Sequence, residues 1–207
     1  MNIIFDLDGT LIDSKPRLYT LFQQLVPASK LTYQQYWDFK YARLSHEAIL
    51  SREFGYGEDE IAGFSRQWMS LIESPEMLAL DLNFSGMHKA LEKLKLAANL
   101  HVCTARQLRD PVLKQLTSLN LLQYFDEIMV TEQKHSKESL ISEHIANLAS
   151  HDWMIGDTGK DIQVGRALGI RTCAVLSGFM TRNSLTEYQP TCIIESATAL
   201  VQELPKG

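Results

Sequence analysis

Two carboxylates near the amino terminus, Asp6 and Asp8, are separated by one residue and directly follow the apolar residues 3–5. Side chains two positions apart on an extended chain share a face, so both carboxylates could approach one ligand. Like charges this close are costly unless a cation or a proton lies between them, and oxygen ligands suit a hard divalent cation such as Mg²⁺. A carboxylate can also attack phosphorus and form an aspartyl-phosphate. The pair therefore predicts metal-assisted phosphoryl transfer.

The pattern D-x-D-G at residues 6–9 has two other interpretations. A turn after a strand often contains Asp and Gly, and a calcium-binding loop contains a similar acidic run. Counted from Asp6, a calcium loop needs Gly at its sixth position and Glu at its twelfth, where this chain has Leu11 and Arg17. The spacing disfavours the calcium loop and leaves a plain turn as the alternative.

Other polar side chains follow apolar, strand-like runs further along the chain. Ligands of an open parallel sheet bind beyond the carboxyl ends of its strands, so side chains that follow different strands should meet at one edge. This rule adds to the first pair Thr104, Arg106, Lys134, Lys137, Asp157 and Asp161. Taken singly, Thr104 is also an ordinary strand residue, Asp157 also a helix N-cap, and each lysine also a surface charge. Their predicted convergence favours a functional site.

The apolar runs that precede these side chains predict the fold. Near-continuous runs are typical of parallel strands covered on both faces, and here they occupy residues 3–8, 100–105, 127–131, 153–157, 172–176 and 191–195. Helical patterns separate them at 86–98, 111–122 and 137–149, and between Lys160 and Gly169. The predicted helix starts are Ser85, Asp110 with Pro111, and Ser136. The alternation predicts an α/β fold, an open parallel Rossmann-like sheet with helices on both faces.

Residues 15–82 interrupt this alternation with amphipathic segments and no convincing strand. One segment begins with a capping box formed by Thr32 and Gln35. We expect a small α-helical cap over 15–82, inserted after the first strand, and a catalytic core formed by 1–14 and 83–207. The Trp and Tyr residues within 33–41 could line a substrate pocket, although a place in the core of the cap suits them better.

Three motifs in this order resemble those of the haloacid dehalogenase superfamily of hydrolases. They are FDLDGTL, CTAR and IGDTGKD, with a helical insertion after the first and a lysine that opens a helix before the last. The resemblance spans the chain and points to the phosphoglycolate-phosphatase-like branch, which has a helical cap between the first and second motifs. It implies the same Rossmann-like core and a cap that closes over the site, excludes water and contributes specificity.

The resemblance also implies a role for each residue of the phosphoryl-transfer site. Asp6 would be the nucleophile, and Asp8 the general acid and base that protonates the leaving oxygen and later activates water. Thr104 and a lysine would hold the phosphoryl oxygens. Lys137, which opens a predicted helix, fits that lysine better than Lys134, but both remain candidates.

The cofactor implied by the resemblance is Mg²⁺. Its ligands would be the Asp6 side chain, the Asp8 backbone carbonyl and the Asp157 side chain. Asp161 would support the lysine or the metal-bound waters, and the remaining supporting residues would be Gly9 and Arg106.

The function predicted from these motifs is hydrolysis of a small soluble phosphomonoester. The presence of Asp8 favours phosphate chemistry over dehalogenation. Two alternatives stay open: a sugar phosphomutase of the same superfamily, and a non-catalytic binding protein on the same fold. Several basic residues could contact an anionic substrate, although each also fits a plain surface charge: Lys15, Arg17, Lys40, Arg43 and Arg106.

Composition narrows the partners and the location. Of the 207 residues, 45% are apolar and the net charge is −5, which is globular composition without the basic surface of a nucleic-acid-binding protein. No run has membrane-spanning length, and the amino terminus lacks a signal-peptide pattern. We expect a cytoplasmic protein whose partner is a small phosphorylated metabolite, with no nucleic acid or membrane partner and an undetermined oligomeric state. Its three cysteines fit buried thiols better than a disulfide or a zinc site.

Overall fold

The computed structural model describes residues 1–203 and contains a six-stranded, all-parallel sheet. Two further strands, β2 (Ile12–Asp13) and β3 (Leu82–Asn83), lie outside this sheet. The six strands of the sheet are β1 (Asn2–Phe5), β4 (Asn99–Thr104), β5 (Glu127–Val130), β6 (Trp153–Gly156), β7 (Arg171–Val175) and β8 (Cys192–Ile194). The sheet order is β5-β4-β1-β6-β7-β8. In chain order, β4 and β5 are added to the sheet on one side of β1, whereas β6, β7 and β8 are added on the other side. The carboxyl ends of β1 and β6 therefore form the switch point, where open α/β sheets bind ligands.

Helices cover both faces of this sheet, as predicted. Alternate residues of a strand point to opposite faces, and in β1 Ile3 and Phe5 join one apolar cluster while Ile4 joins another. Helices α6 (Met87–Lys95) and α7 (Arg109–Ser118) contribute to the first cluster. Helices α8 (Lys137–His144) and α9 (Gly159–Ala167) contribute to the second. The predicted α/β class is confirmed.

Several predicted boundaries were wrong. Helix α6 is preceded by Gly86 at φ 80°, not capped by Ser85. Helix α7 begins at Arg109, so Asp110 and Pro111 lie within its first turn. Proline is tolerated there because the first backbone N–H groups of a helix have no intrahelical partner. Ser136 does cap α8, through a hydrogen bond from Ser139 N to its Oγ.

A short two-stranded antiparallel sheet was also missed by the sequence analysis. It pairs β2 with β3, at the two ends of the segment predicted to be inserted. With only two residues in each strand, neither has enough length to show a periodicity.

The chain divides into two compact units: Met1–Asp13 with the chain from Leu82 onward, and Ser14–Asp81. The second unit contains α1 (Lys15–Leu25), α2 (Tyr33–Tyr41), α3 (His46–Phe54), α4 (Glu58–Leu71) and α5 (Pro75–Leu78). The first unit also contains two short helices, α10 (Arg182–Thr186) and α11 (Leu200–Glu203). The Thr32–Gln35 capping box at the start of α2 is confirmed. The roles of core and cap for the two units stay predictions.

Buried polar groups hold the helical unit together. Arg17 in α1 and Asp81 at the end of the unit form an ion pair at 3.2 Å, with 3% and 0% of their side chains exposed. Arg17 also donates to the Ile72 carbonyl at 3.2 Å. Its prediction as a surface or substrate-binding cation was therefore wrong, because its guanidinium is enclosed within the unit. Tyr36 and Trp37 are buried in the core of this unit.

An aromatic cluster surrounds His46 in the same unit. The Tyr36 hydroxyl lies 2.9 Å from His46 Nε2, and the Trp68 ring centroid lies 4.2 Å from that of His46. Burial, together with the charge of Lys40, lowers the pKa of His46 to about 3. His46 is therefore a neutral imidazole in the folded unit near neutral pH.

Acidification should destabilise the folded protein through His46. Since the folded pKa lies below the value of 6.5 for an exposed histidine, the unfolded chain binds the proton more tightly. The stabilisation is complete above about pH 6.5 and falls toward pH 3, by at most about 1.4 kcal/mol per pH unit. Urea unfolding of wild type and His46→Gln at several pH values measures this slope. The variant should have the shallower slope and the exposed control His144→Gln the wild-type slope; equal slopes for wild type and His46→Gln would contradict the prediction.

The state of the cysteines and the length and hydropathy of the helices were the remaining features considered in the sequence analysis. All three cysteines are free, with Cys103 and Cys173 buried and Cys192 half-buried. Within residues 1–203, no helix is both long enough and apolar enough to cross a membrane.

Candidate active site

The strand ends at the switch point bring together three aspartates and one lysine. Asp6 follows β1, Asp157 follows β6, and Asp161 lies in the first turn of α9. One carboxylate oxygen from each lies within 4.8 Å of the others. Lys137 Nζ donates to Asp6 Oδ1 at 2.6 Å and to Asp161 Oδ1 at 2.7 Å. The structure thus places four of the predicted site residues in one cluster.

Lys137 reaches this cluster because Ser136 caps α8 and makes Lys137 the first helical residue. Only 11% of its side chain is exposed, whereas the Lys134 side chain is 71% exposed and pairs with Glu132. The two predicted lysine candidates therefore occupy different places, and Lys137 is the one beside Asp6.

The cluster contains more negative charge than Lys137 balances. Burial raises the pKa of Asp6 to about 7, although Lys137 opposes the rise and Asp161 and Asp8 add to it. Burial likewise raises the pKa of Asp157 well above its ordinary value, with Asp6 and Asp161 contributing. Burial alone would lower the pKa of Lys137, but Asp161 and Asp6 raise it overall. An additional cation would relieve this repulsion.

One oxygen of Asp157 is positioned to accept such a cation. Its Oδ2 accepts a hydrogen bond from Phe179 N at 2.8 Å, while its buried Oδ1 has no hydrogen-bond partner among residues 1–203. Both oxygens of Asp161 already accept bonds, Oδ1 from Lys137 and Oδ2 from Thr158 Oγ1 at 2.6 Å. Since Mg²⁺ prefers carboxylate oxygens, the Asp6–Asp157 side of the cluster fits the predicted ion.

The loop after β7 holds Asp157 in place, and the sequence analysis missed it. A Cβ on Gly178 would collide with Asp157 Oδ2, and one on Gly9 would lie 2.6 Å from the same atom. Ser177 Oγ donates to the Gly9 carbonyl at 2.8 Å. Gly9 also adopts φ 75°, which favours glycine. The only available sign in the sequence was the Ser177-Gly178 pair directly after a predicted strand.

Asp8 lies beside this cluster in a separate ion pair. Arg106 Nε donates to Asp8 Oδ2 at 2.6 Å, and Arg106 Nη2 donates to Asp8 Oδ1 at 2.8 Å. Arg106 is only 5% exposed, so its interpretation as a surface charge was wrong.

A cavity of about 250 Å³ connects these groups. Its lining includes Asp6, Asp8 and Lys137, together with the buried Thr104 at the end of β4. Lys160, which the sequence analysis did not single out, also lines it. Two carboxyl groups, a hydroxyl donor and cations around one small cavity are groups that phosphoryl transfer can use.

Comparison with known proteins agrees with this arrangement. A family model described as haloacid dehalogenase-like hydrolase matches residues 3–175. A phosphoglycolate phosphatase from Mesorhizobium japonicum is 25% identical over 227 residues, which cover 98% of this chain and 93% of that protein.

Two solved structures share the fold over nearly the whole chain. A haloacid dehalogenase-like family hydrolase from Streptococcus pneumoniae superposes with a TM-score of 0.79 at 22% identity, covering 98% of this chain and 97% of that one. A HAD-hydrolase from Bacillus subtilis, solved bound to magnesium, has a TM-score of 0.70 at 20% identity, covering 99% and 98%.

Proposed function

Because the chain belongs to the haloacid dehalogenase-like hydrolases and is a phosphatase of that family, we propose that it hydrolyses a small phosphomonoester with Mg²⁺ through an aspartyl-phosphate on Asp6. The observation that carries this proposal is the contact of Lys137 with Asp6, beside the Asp157 oxygen that lacks a partner in the described chain. The Lys137 ammonium can neutralise phosphoryl charge, and the Asp157 oxygen provides a ligand for a cation.

The residues divide the chemistry between two steps. In the first, a carboxylate oxygen of Asp6 attacks phosphorus, while Thr104 and Lys137 contact the non-bridging oxygens and Asp8 gives its proton to the leaving oxygen. In the second, Asp8 takes a proton from water as that water attacks the aspartyl-phosphate, which releases phosphate and restores Asp6. Transfer of this kind depends mainly on positioning and charge stabilisation.

The proposed ion would be held by Asp6, Asp157 and the Asp8 backbone carbonyl. When bound, Mg²⁺ supplies positive charge that offsets the charge of the aspartates and of the phosphoryl group. Asp161 is assigned to hold Lys137 rather than the ion, because both of its oxygens already accept hydrogen bonds.

A small phosphorylated carboxylic acid is the proposed substrate class. The Mesorhizobium japonicum relative is named a phosphoglycolate phosphatase, and a cavity of about 250 Å³ suits a compact metabolite. 2-Phosphoglycolate is therefore the first compound to test.

A phosphate-release screen over small phosphomonoesters, with and without Mg²⁺, tests the proposed function. We expect multiple turnovers with Mg²⁺, without any sugar-bisphosphate activator, and a loss of at least about a hundredfold with a chelator, because the carboxylate cluster then stays uncompensated. Added Mg²⁺ should restore the rate. Full activity without metal would contradict the mechanism, transfer only in the presence of a sugar bisphosphate would indicate a mutase, and no turnover by folded protein would favour a binding protein.

A further inference from the structure

Asp8 is held by a two-point contact that the proposed mechanism does not require. Arg106 Nε donates to one carboxylate oxygen at 2.6 Å, and Arg106 Nη2 donates to the other at 2.8 Å. A planar guanidinium that contacts both oxygens fixes the orientation of a carboxylate, which a single ammonium contact does not. The pair is well shielded, with 5% of the Arg106 side chain and 18% of the Asp8 side chain exposed.

Arg106 also donates a hydrogen bond to a buried side chain of α7. Gln115 Oε1 accepts a hydrogen bond from Arg106 Nη2 at 3.2 Å, and Gln115 is 5% exposed. Its neighbours on that helix, Val112 and Leu116, belong to the apolar core. A buried amide among apolar neighbours is costly unless it is hydrogen-bonded, so the contact with Arg106 gives this glutamine a specific role.

These contacts engage two of the three guanidinium nitrogens of Arg106, which also lines the cavity. Its guanidinium donates to Asp8 and Gln115, and Glu132 N donates to its backbone carbonyl at 3.1 Å. Asp8 also lines the cavity, next to the space that a leaving group or a water would occupy.

We propose that Arg106, held by Gln115, positions Asp8 for proton transfer. The proposal rests on the proposed function, in which Asp8 serves both steps. Asp8 lies beyond the last β1 residue, Phe5, and its backbone forms an isolated bridge with Ile12, so side-chain contacts rather than the six-stranded sheet orient its carboxylate. A proton-transfer group must stay within hydrogen-bond reach of the reacting atom, and a displacement of about 1 Å can cost about a hundredfold in rate.

Two substitutions loosen Asp8 without removing it. Arg106→Lys keeps the charge but cannot form the fork, and Gln115→Met keeps helix propensity and volume but removes the acceptor. For an alkyl phosphate, kcat should fall about 10–100-fold in Arg106→Lys and less in Gln115→Met, with KM changed by less than about threefold. The control Arg182→Lys, at the exposed pair with Glu195, should leave kcat and KM unchanged.

A double-mutant cycle determines whether Arg106 acts through Asp8. In an Asp8→Asn background, Arg106→Lys should reduce the residual rate by less than about twofold, because the group that it positions is gone. With an aryl phosphate of low leaving-group pKa, the first turnover of Arg106→Lys should be nearly as fast as that of wild type. A large rise in KM with unchanged kcat, additive losses in the cycle, or no effect at all would overturn the proposal.

Crystal structures of wild type and Arg106→Lys provide a readout that does not need turnover. The Asp8 carboxylate should occupy one orientation in wild type and a different or mixed orientation in the variant. An unchanged Asp8 in the variant would overturn the positioning role. A wild-type protein with the intact pair but no phosphate release would instead count against the proposed function alone.

Discussion

Asp6→Asn is expected to reduce phosphate release by at least about a thousandfold. Asn has the same shape as Asp, but its amide is a poor nucleophile, so no covalent intermediate can form. Removal of an enzyme nucleophile has a large effect because every later step depends on the covalent intermediate. Steady-state phosphate release with saturating substrate and Mg²⁺ measures the loss.

The Asp6→Asn protein should remain folded. Burial raises the pKa of Asp6 to about 7, so the folded state tolerates an uncharged group at this position. A circular dichroism spectrum and thermal midpoint close to those of wild type establish that the loss is chemical. A rate within about tenfold of wild type would show that another group attacks phosphorus.

Lys137→Ala is expected to reduce kcat by about a hundredfold or more. The variant loses the cation beside Asp6, the proposed nucleophile, and removal of one preorganised charge-stabilising donor typically has an effect of this size. It also loses the 2.6 and 2.7 Å contacts to Asp6 and Asp161. Without that cation the pKa of Asp6 should rise further in the metal-free protein, because Lys137 opposes the effect of burial.

Lys134→Ala is the matched control for this prediction. Lys134 lies three residues earlier, is 71% exposed and pairs only weakly with Glu132, at 3.5 Å. Exposed ion pairs of this kind contribute little to folding stability. For Lys134→Ala, kcat and KM should therefore stay within about twofold of wild type, and the thermal midpoint should be close to that of wild type. An inactive Lys134→Ala beside an active Lys137→Ala would show that the other lysine binds phosphate.

The charged cluster around Lys137 is better explained by a functional role than by a contribution to folding stability. Asp6, Asp157 and Asp161 are all buried beside one lysine, and buried like charges destabilise a fold unless they are compensated. Natural proteins depart from the rules of stable packing mainly at functional sites. A bound cation would offset this cost, so Mg²⁺ should also raise the thermal midpoint of the protein.

Residues whose position follows from strand and helix ends were predictable from the sequence. Asp6 and Asp157 follow apolar strands that were recognised by their composition, and the carboxyl ends of parallel strands meet at one edge. Lys137 was favoured over Lys134 because Ser136 marked a helix start, and a helix start has a defined geometry. Local chemistry was sufficient in each case.

Residues whose position depends on tertiary packing were not predictable. Arg17 looks like an exposed helical cation in the sequence, and only the fold brings Asp81 to it across 64 residues of chain. The contact of Gly178 with Asp157 and that of Gln115 with Arg106 join segments that no local pattern relates. The two residues of β2 are likewise too few to show a period.

Mass spectrometry of acid-quenched enzyme tests the central claim, a covalent phosphate on Asp6, most directly. Wild type and Asp8→Asn are mixed with an activated aryl phosphate and Mg²⁺, quenched within one turnover and digested. The leaving group of this substrate needs no proton, so Asp8→Asn should form the adduct and retain it longer than wild type. We expect one phosphorylated peptide, modified at Asp6, and none from Asp6→Asn. Phosphate on any other residue, or an adduct that persists in Asp6→Asn, would contradict the mechanism.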